Sequence, residues 1–260
     1  MNTVIVPVDF SETSFNAARY AVNLLKGHPG AEIILYHTFE KEIEEENSNE
    51  NLGKLRNQLL KTYSANISIL SDMGVFVTEL EKLARHRQVD LIIMGNTGRS
   101  ALAQVFMGSN TLKVAENKFC PVLIIPPNCE YRDLKNVMLT SDLKNVFSTT
   151  PSGPIKKILK TFNPNLHIVS VDSDLYVALT EEQESEKEKL IEMFAGFNPS
   201  FYFLRLFDVD EALSMFATDK NIDLIINIQK EHSLLHRLFN TNHIKNIVCY
   251  STMPVLVVHE

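Results

Sequence analysis

Short apolar runs alternate with stretches of helical periodicity along the chain. In the first half the apolar runs cover 3–8, 31–38, 67–70, 90–94 and 122–125. Most of them are nearly continuously apolar, which is typical of strands buried on both faces of a parallel sheet. A helix is predicted between an N-cap at Ser11 and a stop near Gly27, and another carries Leu80, Leu83 and Ala84. This alternation predicts an α/β fold with any ligand at the carboxyl ends of the strands.

The same pattern occurs twice, at an offset of 133 residues. Segments 4–9, 89–93 and 121–125 match segments 137–142, 222–226 and 254–258 without gaps. A polar stretch follows Pro126 and Pro127, and it is the predicted linker because the prolines stop the preceding strand. The chain is therefore predicted to contain two tandem doubly wound α/β domains, at 1–130 and 134–260.

A glycine-rich loop follows the fourth apolar run. It contains Gly95 and, after two intervening residues, Gly98. Nine further residues separate Gly98 from Gly108, Ser109, Asn110 and Thr111. A phosphate needs several backbone N–H groups that converge on it, and glycines allow a close approach and positive φ values. Ser109 stands where a new helix is predicted to start, so a hydroxyl, amides and the positive end of the helix dipole would face an anion. The loop predicts a phosphate site, although glycines also shape turns without any ligand.

Four segments of the first half form a recognisable set: 6–11, reading VPVDFS, 90–95, reading DLIIMG, the glycine loop, and 120–125, reading CPVLII. With this set the chain resembles the universal stress protein family in its tandem two-domain form, over essentially its full length. The resemblance implies a five-stranded parallel sheet flanked by helices in each domain. It also implies an ATP site in a domain that keeps the glycine loop.

The resemblance further implies which residues contact the nucleotide. Those expected beside the adenosine are Pro7, Val8, Asp9, Thr38 and Met94. Those expected to hold the ribose and phosphates, with Mg²⁺ as a candidate companion, are Gly95, Gly98, Gly108, Ser109, Asn110 and Thr111. Asp9 has an alternative role, since an aspartate after a strand often caps the following helix. Arg99 either contacts a phosphate or simply lies on the surface.

The second copy has lost the glycine loop. The residues at the positions of Gly95, Gly98, Gly108 and Ser109 are Ile228, Glu231, Thr241 and Asn242. Isoleucine does not readily take a positive φ, and a glutamate would place a carboxylate against the phosphates. We therefore expect no ATP site in the second domain. His232, His236 and His243 lie in the corresponding segment. An ordinary polar loop, left after the nucleotide site was lost, is favoured over a zinc site at these histidines because no matching Cys, Asp or Glu ligand completes the set.

Charge and composition narrow the function further. The chain has 260 residues and a net charge of −7, which argues against a nucleic-acid binder because phosphate neutralisation needs a basic surface. The acidic stretches 40–51 and 181–189 are predicted to be solvated helix starts or loops, with partner recognition as the alternative. The N-terminus shows no signal-peptide pattern, and no apolar run is long enough for a membrane helix. A cytoplasmic location is predicted.

These observations predict a cytoplasmic, ATP-binding regulator of stress adaptation with one nucleotide site per chain. No catalytic base, arginine finger or metal-carboxylate set is identifiable around the loop, so binding is favoured over fast catalysis, while slow hydrolysis or self-phosphorylation stays open. The alternative is a nucleotide-independent scaffold for a protein partner. In it, by resemblance, strands 122–125 and 255–258 pair in an internal pseudo-dimer. A nucleotidyl transferase is disfavoured, because residues 9–14 contain no glycine for a pyrophosphate-gripping loop.

Overall fold

The computed structural model describes residues 1–96, 109–172, 178–205, 208–229 and 253–260. The chain divides into two compact units, Met1–Tyr131 and Arg132–Glu260. The division falls inside the polar stretch that follows Pro126 and Pro127.

The first unit is a parallel α/β sheet. Its elements are β1 (Thr3–Pro7), α1 (Glu12–Leu24), β2 (Glu32–Phe39), a 3-10 turn (Glu42–Glu44), α2 (Glu45–Thr62), β3 (Asn66–Met73), α3 (Phe76–His86), β4 (Leu91–Gly95), α4 (Ser109–Glu116) and β5 (Val122–Ile125). The strand order is β3-β2-β1-β4-β5, and every pair in it is parallel. The predicted fold class is confirmed, with most strand limits within one residue of expectation. Only β3 is longer, because half of its residues are polar and its outer position tolerates them.

The second unit repeats this architecture. Its elements are β6 (Asn136–Thr140), α5 (Val146–Thr149), α6 (Ser152–Phe162), β7 (Asn165–Asp172), α7 (Glu181–Met193), a 3-10 turn (Ala195–Phe197), β8 (Ser200–Arg205), α8 (Val209–Asp219), β9 (Leu224–Gln229) and β10 (Val255–His259). The order is β10-β9-β6-β7-β8, again parallel. One difference is that the helix after the first strand is broken into α5 and α6. Pro151 stands at the break, where its ring cannot continue a preceding helical turn.

Hydrogen bonds repeat at the same offset as the sequence. The Asp90 carboxylate accepts from the two backbone amides at the start of β1, at 2.5 and 3.4 Å. The Asp223 carboxylate accepts from the equivalent amides at the start of β6, at 2.9 and 2.9 Å. Gln88 and the equivalent Asn221 both take a positive φ, 50° and 49°, in the turn before these aspartates. The two units are therefore copies in their local geometry as well as in their sequence.

Helix α1 lies close against the sheet of the first unit. Its Ser11 N-cap accepts a hydrogen bond from the Ser14 amide, as the sequence predicts. The inward face carries Ala17, Ala18 and Ala21, all fully buried, and such small side chains let a helix approach a sheet closely. The first turn of α1 is thereby held beside the carboxyl end of β4.

The acidic segments lie where the sequence places them. Segment 40–51 covers the 3-10 turn and the start of α2, and segment 181–189 forms the first part of α7. Most of their charged side chains are exposed, so the prediction of solvated helix starts is confirmed. Among the helices that the structure describes, none combines the length and the apolar character that a bilayer span requires.

Candidate functional site

A cleft of about 240 Å³ opens at the carboxyl ends of the strands of the first unit. It lies where the chain order reverses, between β1 and β4, which is where open α/β sheets bind ligands. The sequence-predicted residues that line it are Pro7, Val8, Asp9, Thr38, Met94, Gly95, Ser109, Asn110 and Thr111. Gly98, Arg99 and Gly108 lie outside the described residues. The structure also brings in residues that sequence reasoning missed: Thr13, Ser14, His37 and Phe76.

The start of α4 forms one wall of the cleft. Ser109 and Asn110 are exposed there, so their side chains are available to a ligand. Thr111 is buried, and its hydroxyl donates to the Gly95 carbonyl oxygen at 3.2 Å. Thr111 therefore holds α4 against the end of β4.

Asp9 caps the turn between β1 and α1. Its Oδ1 accepts from the Ser11 amide at 3.1 Å and from the Ser11 hydroxyl at 2.5 Å. Burial raises the pKa of the Asp9 carboxyl, but hydrogen bonds from Ser11 and Ser14 outweigh it and hold that pKa below its usual value. The equivalent Asp142 likewise accepts from the backbone amide two residues later, at 3.2 Å. This turn hydrogen bond exists in both units, whereas the N-cap of α1 is Ser11, and in the first unit Asp9 also lines the cleft.

Close packing, and not an unusual backbone conformation, explains why residue 95 is a glycine. A Cβ on Gly95 would lie 2.3 Å from the Thr13 carbonyl oxygen and 2.6 Å from its carbonyl carbon. The expectation of a positive φ here is wrong, because the described glycines with positive φ are Gly27 and Gly74. Gly95 ends a β-strand, and any side chain would push against the backbone of α1. The contact joins residues far apart in sequence, so no local pattern could reveal it.

His37 is held rigidly at the end of β2. Its Nδ1 lies 2.7 Å from the Val8 carbonyl oxygen, and since that oxygen only accepts, Nδ1 carries the proton. The Phe10 ring packs on the imidazole with ring centroids 4.6 Å apart. Phe10 itself has a φ of 60°, and the equivalent Leu143 has a φ of 52°. This strained turn is therefore part of the shared fold, and in the first unit it fixes a ring at the cleft.

Different side chains stand at these positions in the second unit. Thr140 replaces Pro7, Asn227 replaces Met94 and Ile228 replaces Gly95. The Thr140 hydroxyl is within hydrogen-bond distance of the Asn227 side-chain oxygen, 3.3 Å, and Asn227 is 1% exposed. These groups contact each other inside the unit.

The remaining loop predictions cannot be placed. Glu231, Thr241, Asn242 and the three histidines His232, His236 and His243 lie outside the described residues. Over the ranges that are described, no group of three or more His, Cys, Asp or Glu side chains could hold a metal ion. The absence of ATP from the second unit stays a prediction, as does the choice between a refilled loop and a zinc site.

Comparison with known proteins agrees with this geometry. Residues 1–126 match the family model described as the universal stress protein family. The first unit therefore belongs to the universal stress protein family. Relatives include the universal stress proteins MJ0531 and MJ0577 of Methanocaldococcus jannaschii. The first is 27% identical over 138 residues, covering 47% of this chain and 80% of that protein. The second is 26% identical over 151 residues, covering 47% of this chain and 93% of that protein.

A solved structure extends the likeness to the whole chain. A universal stress protein from Archaeoglobus fulgidus superimposes with a TM-score of 0.72 at 17% identity, covering 99% of this chain and 98% of that one. At this identity the likeness establishes the fold alone. The sequence relatives each match about half of this chain, as expected for two tandem units.

Proposed function

We propose that the first unit binds ATP in the cleft between β1 and β4, and that this binding regulates the protein during stress adaptation. One observation carries the proposal. The described site residues that the family resemblance implies converge, from β1, β2, β4 and α4, on one cleft at the switch point of the sheet. Their convergence therefore supports a common ligand.

The chemistry of the cleft suits a nucleotide. Hydroxyl groups and the first turn of α4 offer hydrogen-bond donors and the positive end of a helix dipole to phosphates. Apolar side chains at Pro7, Val8 and Met94 offer the surface that a base requires. The ionised Asp9 adds an acceptor suited to a ribose hydroxyl. Mg²⁺ would be carried mainly by the phosphates, since it keeps most of its waters and needs few protein ligands.

Binding rather than rapid turnover is proposed. Among the described lining residues, Asp9 is the one carboxylate, and its Oδ1 already accepts hydrogen bonds from Ser11. No lysine or arginine lines this described part of the cleft, while Arg99 stays a predicted phosphate contact. Phosphoryl transfer depends on positioned cations and a base around the γ-phosphate. Slow hydrolysis and self-phosphorylation remain open alternatives.

Calorimetric titration with ATP tests the proposal. The wild type should bind one ATP per chain, and Gly108→Val should bind at least about tenfold more weakly, because the branched side chain would block the close approach of phosphate. Gly30→Val is the matched control, since a Cβ at exposed Gly30 meets nothing within 4 Å. The proposal fails if the wild type and Gly108→Val show equally negligible binding.

The second unit is assigned a structural or interactive role. It keeps the sheet and the Asp142 turn, yet Asn227 and Ile228 stand where the first unit has cleft residues. This difference favours a surface for a protein partner, with nucleotide confined to the first unit. Pairing of strands 122–125 and 255–258 in an internal pseudo-dimer stays a prediction, as does the cytoplasmic location. A stoichiometry of two ATP per chain would contradict the assignment.

A further inference from the structure

Phe76 is an aromatic residue of the cleft that no sequence motif identifies. It is the first residue of α3, and its side chain lines the cleft. The neighbouring apolar side chains are exposed to solvent, Val75 by 71% and Met73 by 59%. Phe76 is half-buried. Of the apolar side chains in this turn, Phe76 is the one that faces the ligand space.

The turn that carries Phe76 is tied to the end of β2. The Gly74 amide donates to the Phe39 carbonyl oxygen at 3.0 Å, and Gly74 takes a φ of 147°, which side chains rarely adopt. The start of α3 is thereby held next to the strand that supplies His37 and Thr38 to the cleft. The position of Phe76 is set by backbone contacts and does not depend on a ligand.

His37 is a second aromatic residue that lines the cleft. Its ring is held by the Val8 carbonyl on one side and by the Phe10 ring on the other. A fixed ring loses little conformational entropy when a flat ligand packs beside it. The cleft thus offers preformed aromatic surface in the same unit as the phosphate-binding helix start.

Polar and apolar groups of the cleft suit different parts of a nucleotide. Hydroxyls from Thr13, Ser14 and Ser109 suit phosphates and ribose, whereas an aromatic ring offers no donor to a phosphate. A ring half-exposed in a cleft does suit a planar, weakly polar base. We propose that Phe76 stacks on the base of the bound nucleotide and is a specificity-determining residue, favouring nucleotides over base-free polyphosphates. This inference rests on the proposed nucleotide function.

The expected effect follows from the strength of base stacking. An aromatic side chain that stacks on one base contributes roughly 5- to 150-fold in affinity. Phe76→Leu keeps an apolar side chain of similar volume at the start of α3 but removes the π face. It should weaken ATP by about tenfold and leave tripolyphosphate unchanged. Phe76→Tyr keeps the ring and should bind ATP like the wild type.

Calorimetry with ATP and with tripolyphosphate, on wild type and these two variants, measures this difference. Val75→Ala is the control, because Val75 belongs to the same turn but lies outside the cleft. The role of Phe76 is overturned if Phe76→Leu binds ATP as tightly as the wild type, or if it loses ATP and tripolyphosphate equally. Absence of ATP binding by the wild type would instead overturn the proposed function itself, and the role of Phe76 with it.

A second variant, Phe76→Trp, reports by fluorescence on contact between residue 76 and the base. This test does not depend on whether Phe76→Leu folds. The chain contains no tryptophan, so Phe76→Trp places a single indole in the cleft. ATP should quench and shift its fluorescence, while tripolyphosphate should not, because only ATP carries a base. An emission spectrum that saturating ATP leaves unchanged, in a variant whose ATP binding calorimetry confirms, would overturn the inference.

Discussion

Gly95→Ala tests whether the end of β4 is packed against α1 as closely as the structure indicates. The added methyl would lie 2.3 Å from the Thr13 carbonyl oxygen and 3.1 Å from the Ser14 amide nitrogen. Cβ atoms in proteins essentially never lie within 3.0 Å of a non-bonded heavy atom. Either the first turn of α1 or the end of β4 must therefore move by about 1 Å.

The cost of this movement is that of overpacking. Both atoms in conflict with the methyl belong to backbone, so no side-chain rotation relieves the contact. Insertion of one extra carbon into a packed region costs about 1–3 kcal/mol of unfolding free energy. For a unit of this size each kcal/mol corresponds to roughly 3–5 °C in Tm. Gly95→Ala should thus lower the Tm of the first unit by several degrees without any nucleotide present.

Thermal and urea unfolding followed by circular dichroism measure this change. Gly53→Ala is the matched control, because Gly53 lies within α2 and its Cβ would meet nothing within 4 Å. Alanine is the better helix former, so the control should be unchanged or more stable by about 0.5–1 kcal/mol. If Gly95→Ala unfolds at the same temperature and urea concentration as the wild type, the close approach of α1 to β4 is not rigid and the reasoning is wrong. Gly95 would then be reassigned to ligand contact alone.

Three further predictions concern the scaffold of the two units. Asp223→Ala should cost about 1–3 kcal/mol in urea unfolding, because two backbone amides lose a charged acceptor, whereas the exposed Asp219→Ala should cost little. Burial first, and then a neighbouring lysine, lower the pKa of His167 below 6.5, so protonation favours unfolding. Stability should fall as the pH drops through and below 6.5, and His167→Ile should flatten this dependence in unfolding curves measured across pH 5–8. The Asn16 side-chain amide donates to two carbonyl oxygens of segment 126–129, at 3.4 and 3.0 Å, and Asn16→Leu removes both hydrogen bonds. Trypsin should then cut after Arg132 faster than in the wild type. An unchanged cleavage rate would show that these hydrogen bonds do not hold the segment in place.

The sequence alone determined the class of fold and most of the cleft. Strand limits followed from apolar runs, and the start of α1 followed from Ser11, because both signals act between neighbours in the chain. The repeat at an offset of 133 predicted that local geometry would recur, and the paired positive φ values at Gln88 and Asn221 bear this out. The family resemblance implied a set of site residues, and those that the structure describes share one cleft because strand ends in a parallel sheet meet at one edge.

Tertiary structure decided the roles that depend on distant partners. Gly95 is glycine because the Thr13 backbone, 82 positions earlier, lies against it, and periodicity carries no trace of that contact. Phe76 reaches the cleft because the Gly74 amide ties its turn to β2. Patterns along the chain report which face of an element is buried. Which backbone or ring packs against that face is set only when the elements come together.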